Sequence, residues 1–123
     1  MSSLEKIKRA LRKFADDREW NQFHTPKNLA MALSVEAAEL VEIFQWLTEE
    51  ESGKLTPTQR LQTEHEVADI FLYLLRIVDR LEIDLVDAAK KKILLNEKRY
   101  PAEKVRGSSK KYTAYQQESE NDE

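Results

Sequence analysis

The chain has 123 residues, 41% of them hydrophobic, with only two glycines and three prolines, a composition that suits one helical domain around a single small core. Its 23 acidic and 20 basic residues leave a formal charge of -3, so the basic excess that a nucleic-acid polymer would require of its partner is absent. The lack of cysteine excludes disulfides, thiolate metal sites and cysteine nucleophiles, the start MSSLEKIKRALRKF has no signal-peptide core, and the longest near-apolar run, IFLYLLRIV, is too short to span a membrane. A cytoplasmic protein is expected.

The first helix is predicted from Ser3 to Asp17, where Leu4, Ile7, Leu11 and Phe14 recur at helical spacing with lysines and arginines opposite. The next two begin at Thr25-Pro26 and Thr56-Pro57, each a capping hydroxyl before a proline at the first helical position, where the missing N–H costs nothing. Gln59 adds capping-box spacing to Thr56, and EEESGKL at 49–55 reads as a polar break, so these two long helices form an αα-hairpin. A fourth helix starts at Asp84, with Asp87 three residues on, and runs to a basic last turn before Pro101. The expected fold is all-α, a four-helix-bundle-like protomer built on the central hairpin and forming one domain over residues 1–115. The acidic end QQESENDE, residues 116–123, lacks bulky apolar side chains and is expected to be disordered.

From Val67 to Val78 every position of the third helix except Asp69 and Arg76 is apolar or aromatic. A helix apolar around most of its girth needs cover on several sides, which predicts that chains of this sequence assemble with one another.

The stretch NLAMALSVEAAELVEIFQWL, residues 28–47, has the look of a buried helix, yet it carries Glu36, Glu39 and Glu42. On a helical projection Leu29, Leu33, Leu40, Ile43 and Leu47 share one stripe, and Glu36 stands where another leucine would pack. Glu36 and Glu39 are neighbours on that helix, and HEVAD repeats the spacing with Glu66 and Asp69 on the third. Antiparallel packing would bring the two pairs face to face, and four carboxylates withdrawn from water are stable only if protonated or neutralised by cations. A hard, oxygen-loving divalent ion such as magnesium suits them, whereas zinc fits poorly without cysteine and a diiron site lacks its Glu-x-x-His motifs. The plain alternative is a solvated face: Gln62, Glu66, Asp69, Tyr73, Arg76 and Arg80 form a polar stripe that would suit an outer surface, and Glu42 can simply face water.

Upstream, REWNQFHTPKN joins Trp20, Phe23, His24 and Asn28, residues able to stack and hydrogen-bond a base, or to close a core edge; Trp46 is open to the same two readings. Downstream, Lys92 and Asn96 lie one turn apart ahead of Lys98, Arg99 and Tyr100, where a cation can meet phosphate oxygens or solvent.

Taken together, EAAE at 36–39 and EVAD at 66–69, with EWNQFHTPKNL, EIFQW, NEKRYP and RGSSKKYT in the same order, resemble the MazG-like all-α nucleoside triphosphate pyrophosphohydrolases, in particular their dCTP pyrophosphatase branch, over residues 4–115. The resemblance implies magnesium-dependent hydrolysis between the α and β phosphates of a nucleotide, dCTP or a modified dNTP, to a monophosphate and pyrophosphate, as house-cleaning of the nucleotide pool. It implies that Glu36, Glu39, Glu66 and Asp69 hold Mg2+ and that Trp20, His24, Trp46, Tyr73, Lys92 and Asn96 line the nucleotide site. This chain has Leu11 where the branch carries a histidine near the base. It also implies a homodimer or homotetramer with sites shared between chains, in which RGSSKKYTAY crosses to a neighbour or closes over the phosphates. The competing class is a non-catalytic helical protein-interaction module, with the acids as surface charge.

Overall fold

A computed structural model describes residues 1–107, and within them every regular element is a helix. The segment 108–115, most of the expected phosphate-closing arm, and the tail 116–123 lie outside the described residues. The chain divides after Ile83 into two compact units.

In the first unit, α1 (Ser3–Asp17) starts with the Ser2 hydroxyl accepting the Glu5 N–H at 3.2 Å. α2 (Pro26–Phe44) follows Thr25, whose hydroxyl accepts the Asn28 N–H at 3.2 Å, with Pro26 in the first turn. α3 (Glu49–Ser52) is a single turn inside the stretch expected to be a plain polar break. Its signal was present in the sequence as a second capping box: the Thr48 hydroxyl accepts the Glu51 N–H at 3.1 Å and the Glu51 carboxylate accepts the Thr48 N–H at 2.9 Å. α4 (Pro57–Arg80) opens on the reciprocal Thr56–Gln59 pair at 3.2 and 3.0 Å.

α2 and α4 form the main packing surface of this unit, and α1 lies against α4. Leu29, early in α2, shares a wall with Leu72, Tyr73 and Arg76, late in α4, while Ile43, late in α2, shares one with Gln62 and Glu66, early in α4. The two helices therefore run in opposite directions. Ala15, Leu29, Leu75 and Val78 are the buried apolar residues among those described, with Leu29 and Leu75 fully enclosed.

The α1–α4 contact has a charged clasp. Arg12 Nε donates to Asp79 Oδ2 at 2.7 Å and Arg12 Nη2 to Asp79 Oδ1, and Arg76 Nη1 stands 3.6 Å from the same carboxylate. The hydrogen bond from Arg12, helped by the charges of both arginines, holds the Asp79 carboxyl below the usual range despite its burial.

The α4 stripe that would have suited an outer surface turns toward the protein at Tyr73 and Arg76, while Arg80 is exposed. Tyr73 is half-buried and Arg76 is 5% exposed. Burial of the guanidinium is tolerated because Asn21, His24 and Asp79 accept or neutralise it. The apolar flank carries the exposure instead, with Leu61, Val67 and Phe71 open. Among the described residues no helix is long and apolar enough to cross a membrane.

The second unit is described by itself. α5 (Leu85–Arg99) is capped by Asp84, whose carboxylate accepts the Asp87 N–H at 3.0 Å, and ends on Lys98 and Arg99, cations that favour the carbonyl end of a helix dipole. Pro101 separates it from the single turn α6 (Ala102–Val105).

The packing predicts that Leu75→Ala lowers the unfolding free energy by about 3 kcal/mol, the usual cost of a large aliphatic side chain removed from an enclosed site. Lys13→Ala, which removes an exposed i,i+4 pair with Asp17, costs less than about 0.5 kcal/mol. Urea titration of both variants measures the difference.

Candidate active site

Glu36 and Glu39 lie on successive turns of α2, and Glu66 meets them from α4. One carboxylate oxygen of each lies within 4.8 Å of the other two. Glu36 Oε2 and Glu66 Oε2 are both buried with no hydrogen-bond partner. As carboxylates the two can only accept, so neither can satisfy the other unless a proton or a cation enters between them. The Glu36 carboxyl holds its proton more tightly in response, its pKa pushed up to about 7 by the facing Glu66 carboxyl first, then by burial and by the neighbouring Glu39. Three convergent carboxylates, two of which carry a buried unpartnered oxygen, with no sulfur or imidazole among them, form a donor set that fits a hard divalent ion.

Asp69 is one turn beyond Glu66 on α4 and is not within that close set. It lines an adjoining cavity of about 270 Å3. Glu42 is exposed and shares a polar recess with Glu39, Ile43, Gln62 and Glu66, on the other side of the cluster.

Four segments build the cavity beside Asp69. Leu11 and Phe14 come from α1, Trp20 and His24 from the loop after it, Leu29 from α2, and Leu72, Tyr73 and Arg76 from α4. The aromatic wall is ordered edge to face: the Phe14 and Trp20 rings stand 5.5 Å apart at 75°, and Trp20 and His24 stand 6.0 Å apart at 64°. The loop is pinned at both ends. The Asn28 side-chain amide donates to the Phe23 carbonyl at 3.1 Å, and Asn21 Nδ2 donates to Asp16 Oδ1 at 2.5 Å. Asn21 Oδ1 accepts from Arg76 Nη2, and Arg76 Nε donates to His24 Nδ1 at 3.3 Å. Burial, together with the charges of Arg76 and Arg80, lowers the His24 pKa and favours the neutral ring.

Of the residues singled out in the sequence, Glu36, Glu39 and Glu66 come together as the cluster, and Trp20, His24, Asp69 and Tyr73 border the cavity. Trp46, beyond the end of α2, is 86% exposed and borders neither. Lys92 and Asn96 are both exposed on α5, in the second unit. Arg76 and Asn21 were not foreseen as parts of a site. The available signal was Arg76 itself, a cation interrupting the apolar run from Val67 to Val78.

Comparison with known proteins identifies the family. The MazG-like family matches residues 31–114. The chain is 42% identical over 113 residues to human dCTP pyrophosphatase 1, covering 90% of this chain and 66% of that protein. The bovine dCTP pyrophosphatase 1 is 42% identical over 113 residues, with 67% of its length covered, so the chain spans about two thirds of these relatives. Among solved structures, a pyrophosphatase from Archaeoglobus fulgidus superposes with a TM-score of 0.78 at 41% identity, over 82% of this chain and 94% of that one. With the family matching most of its length, the chain belongs to the MazG-like family.

Proposed function

We propose that this protein is a metal-dependent nucleoside triphosphate pyrophosphohydrolase, cleaving a nucleotide between its α and β phosphates to a monophosphate and pyrophosphate. The observation that carries this reading is the cluster of Glu36, Glu39 and Glu66, with two unpartnered buried oxygens, adjoining an aromatic-walled cavity that Asp69 borders. The names of the relatives support it: dCTP pyrophosphatase 1 in mammals and a pyrophosphatase in an archaeon. We assign dCTP or a modified dNTP as substrate and Mg2+ as the ion.

In this reading Glu36, Glu39 and Glu66 hold the ion, and Asp69, one turn along α4, completes the set from the cavity side. A bound magnesium supplies charge neutralisation for the triphosphate and activation of water. The remaining work belongs to the chain. Trp20 and Phe14 offer ring faces and edges to a base, and His24 and Tyr73 offer polar atoms to its rim. At about 270 Å3 the cavity suits a base rather than an entire nucleotide, since pockets that enclose drug-sized ligands run from roughly 300 to 1,000 Å3. The triphosphate then extends toward the carboxylates. Trp46, Lys92 and Asn96 are assigned to the nucleotide by resemblance, in an assembled protein. Exposure of Leu61, Val67 and Phe71 supports assembly of the protomer into a homodimer or homotetramer.

Three measurements test these statements. Pyrophosphate release is expected from at least one dNTP in a panel assayed with magnesium, and Glu39→Gln should lower kcat/KM by roughly 100-fold or more; an unchanged mutant removes the cluster from the mechanism. Static light scattering at micromolar concentration should give a multiple of the protomer mass. Stability should also depend on pH in a way that reports the cluster. The Glu36 pKa is raised in the fold from 4.5 to about 7, so in a chelator the thermal midpoint should fall as pH rises through that window, where the folded protein binds the extra proton. Above it, millimolar magnesium should restore the midpoint, and Glu36→Gln should abolish both the pH slope and the response to magnesium. A non-catalytic interaction module would show no such response.

A further inference from the structure

Arg76 is 5% exposed, and its guanidinium reaches three groups that each fix it in place. Nη2 donates to Asn21 Oδ1, Nη1 lies 3.6 Å from Asp79 Oδ2, and Nε donates to His24 Nδ1 at 3.3 Å. Two of these three groups are themselves held: Asn21 by Asp16 at 2.5 Å, and Asp79 by Arg12 at 2.7 Å. The orientation of the Asn21 amide is unambiguous, because Asp16 can only accept and Arg76 can only donate.

The same logic applies to the histidine. A guanidinium has no acceptor, so Nδ1 of His24 must carry a lone pair, and a neutral ring then carries its proton on Nε2. Since Nδ1 is turned to Arg76, Nε2 is the ring nitrogen left for a ligand in the cavity. Its surroundings divide by sign. Trp20 has an N–H donor, Asp69 accepts, and Tyr73 does either. Whether the free nitrogen of His24 donates or accepts depends on its tautomer, and Arg76 decides which.

We propose that Arg76 is a positioning residue for substrate: by donating to His24 Nδ1 it locks the Nε2–H tautomer, so that this wall selects a nucleobase edge presenting a carbonyl oxygen or an unprotonated ring nitrogen. This rests on the nucleotide-hydrolase reading above and adds to it a chemical rule for the base. Arg76 touches His24, not the reacting phosphates, so its loss acts on binding. A base that offers an N–H at the same point meets donor against donor, and a buried unmade hydrogen bond disfavours it.

The test combines a spectroscopic and a kinetic measurement on the full chain. Long-range proton–nitrogen spectra of the 15N-labelled wild type at neutral pH should show His24 with Nε2 protonated and Nδ1 bare. In Arg76→Leu the two tautomers should mix, and KM for the preferred dNTP should rise about tenfold with kcat held within about twofold. Arg76→Gln keeps an N–H donor without the charge and should recover the wild-type tautomer and most of KM. An Nδ1–H tautomer or an imidazolium in the wild type overturns the proposal, whether or not the leucine variant folds. So does a Leu variant with unchanged KM, or a Gln variant no better than Leu. Failure of the wild type to release pyrophosphate from any nucleotide overturns the hydrolase reading itself, whereas an active wild type with the wrong tautomer overturns this inference alone.

Discussion

Two glutamates that meet across α2 and α4, each with one buried oxygen that nothing donates to, set the terms for the rest of this protein. An apolar pair at Glu36 and Glu66 would have packed at least as well, so the interface here does not minimise its own free energy. The strain is local and electrostatic. Leu29, Leu75 and Val78 supply the apolar burial that keeps the two helices together around it. Glu36 can relieve the crowding by keeping a proton or by sharing a cation, and either choice ties the stability of the fold to what occupies the cluster.

The second constraint lies further along α4, at Arg76. A buried arginine is costly unless its donors are used, and Arg76 uses them to tie together the loop after α1, the end of α4 and, through Asp79, α1 itself. The loop carrying Trp20 and His24 is therefore not free to drift from the carboxylates. An aromatic cavity and an acidic cluster come to share α4 because one helix presents Glu66, Asp69, Tyr73 and Arg76 at spacings of three and four residues. The separation of roles along this stripe follows from position: the residue nearer the start of α4 meets Glu36, and the later ones meet α1 and the loop.

Much of the fold was legible in the sequence. The hydroxyls of Thr25 and Thr56 before proline mark helix starts through local hydrogen bonds, and those bonds form as the spacing requires. The single turn α3 is encoded in the same way by Thr48 and Glu51, within a stretch whose charge composition alone resembles a plain loop. The polar stripe of α4 was a harder case. Periodicity groups Glu66, Asp69, Tyr73 and Arg76 on one face but does not say whether that face meets water or protein.

What the sequence by itself determined was local: helix identity, most helix starts, and the pairing of acids at i, i+3, all of which depend on residues within one or two turns of each other. It also placed Glu36 in an apolar stripe, which was enough to mark the position as unusual. Only the tertiary structure decided that Glu66 joins Glu36 and Glu39 while Asp69 turns to the cavity, that Arg76 is buried, and that His24 gives its Nδ1 to it. Those outcomes depend on the register and rotation of α4 against α1 and α2. They are set by packing and by the pairing of charges far apart in the chain, information that no single helical period contains.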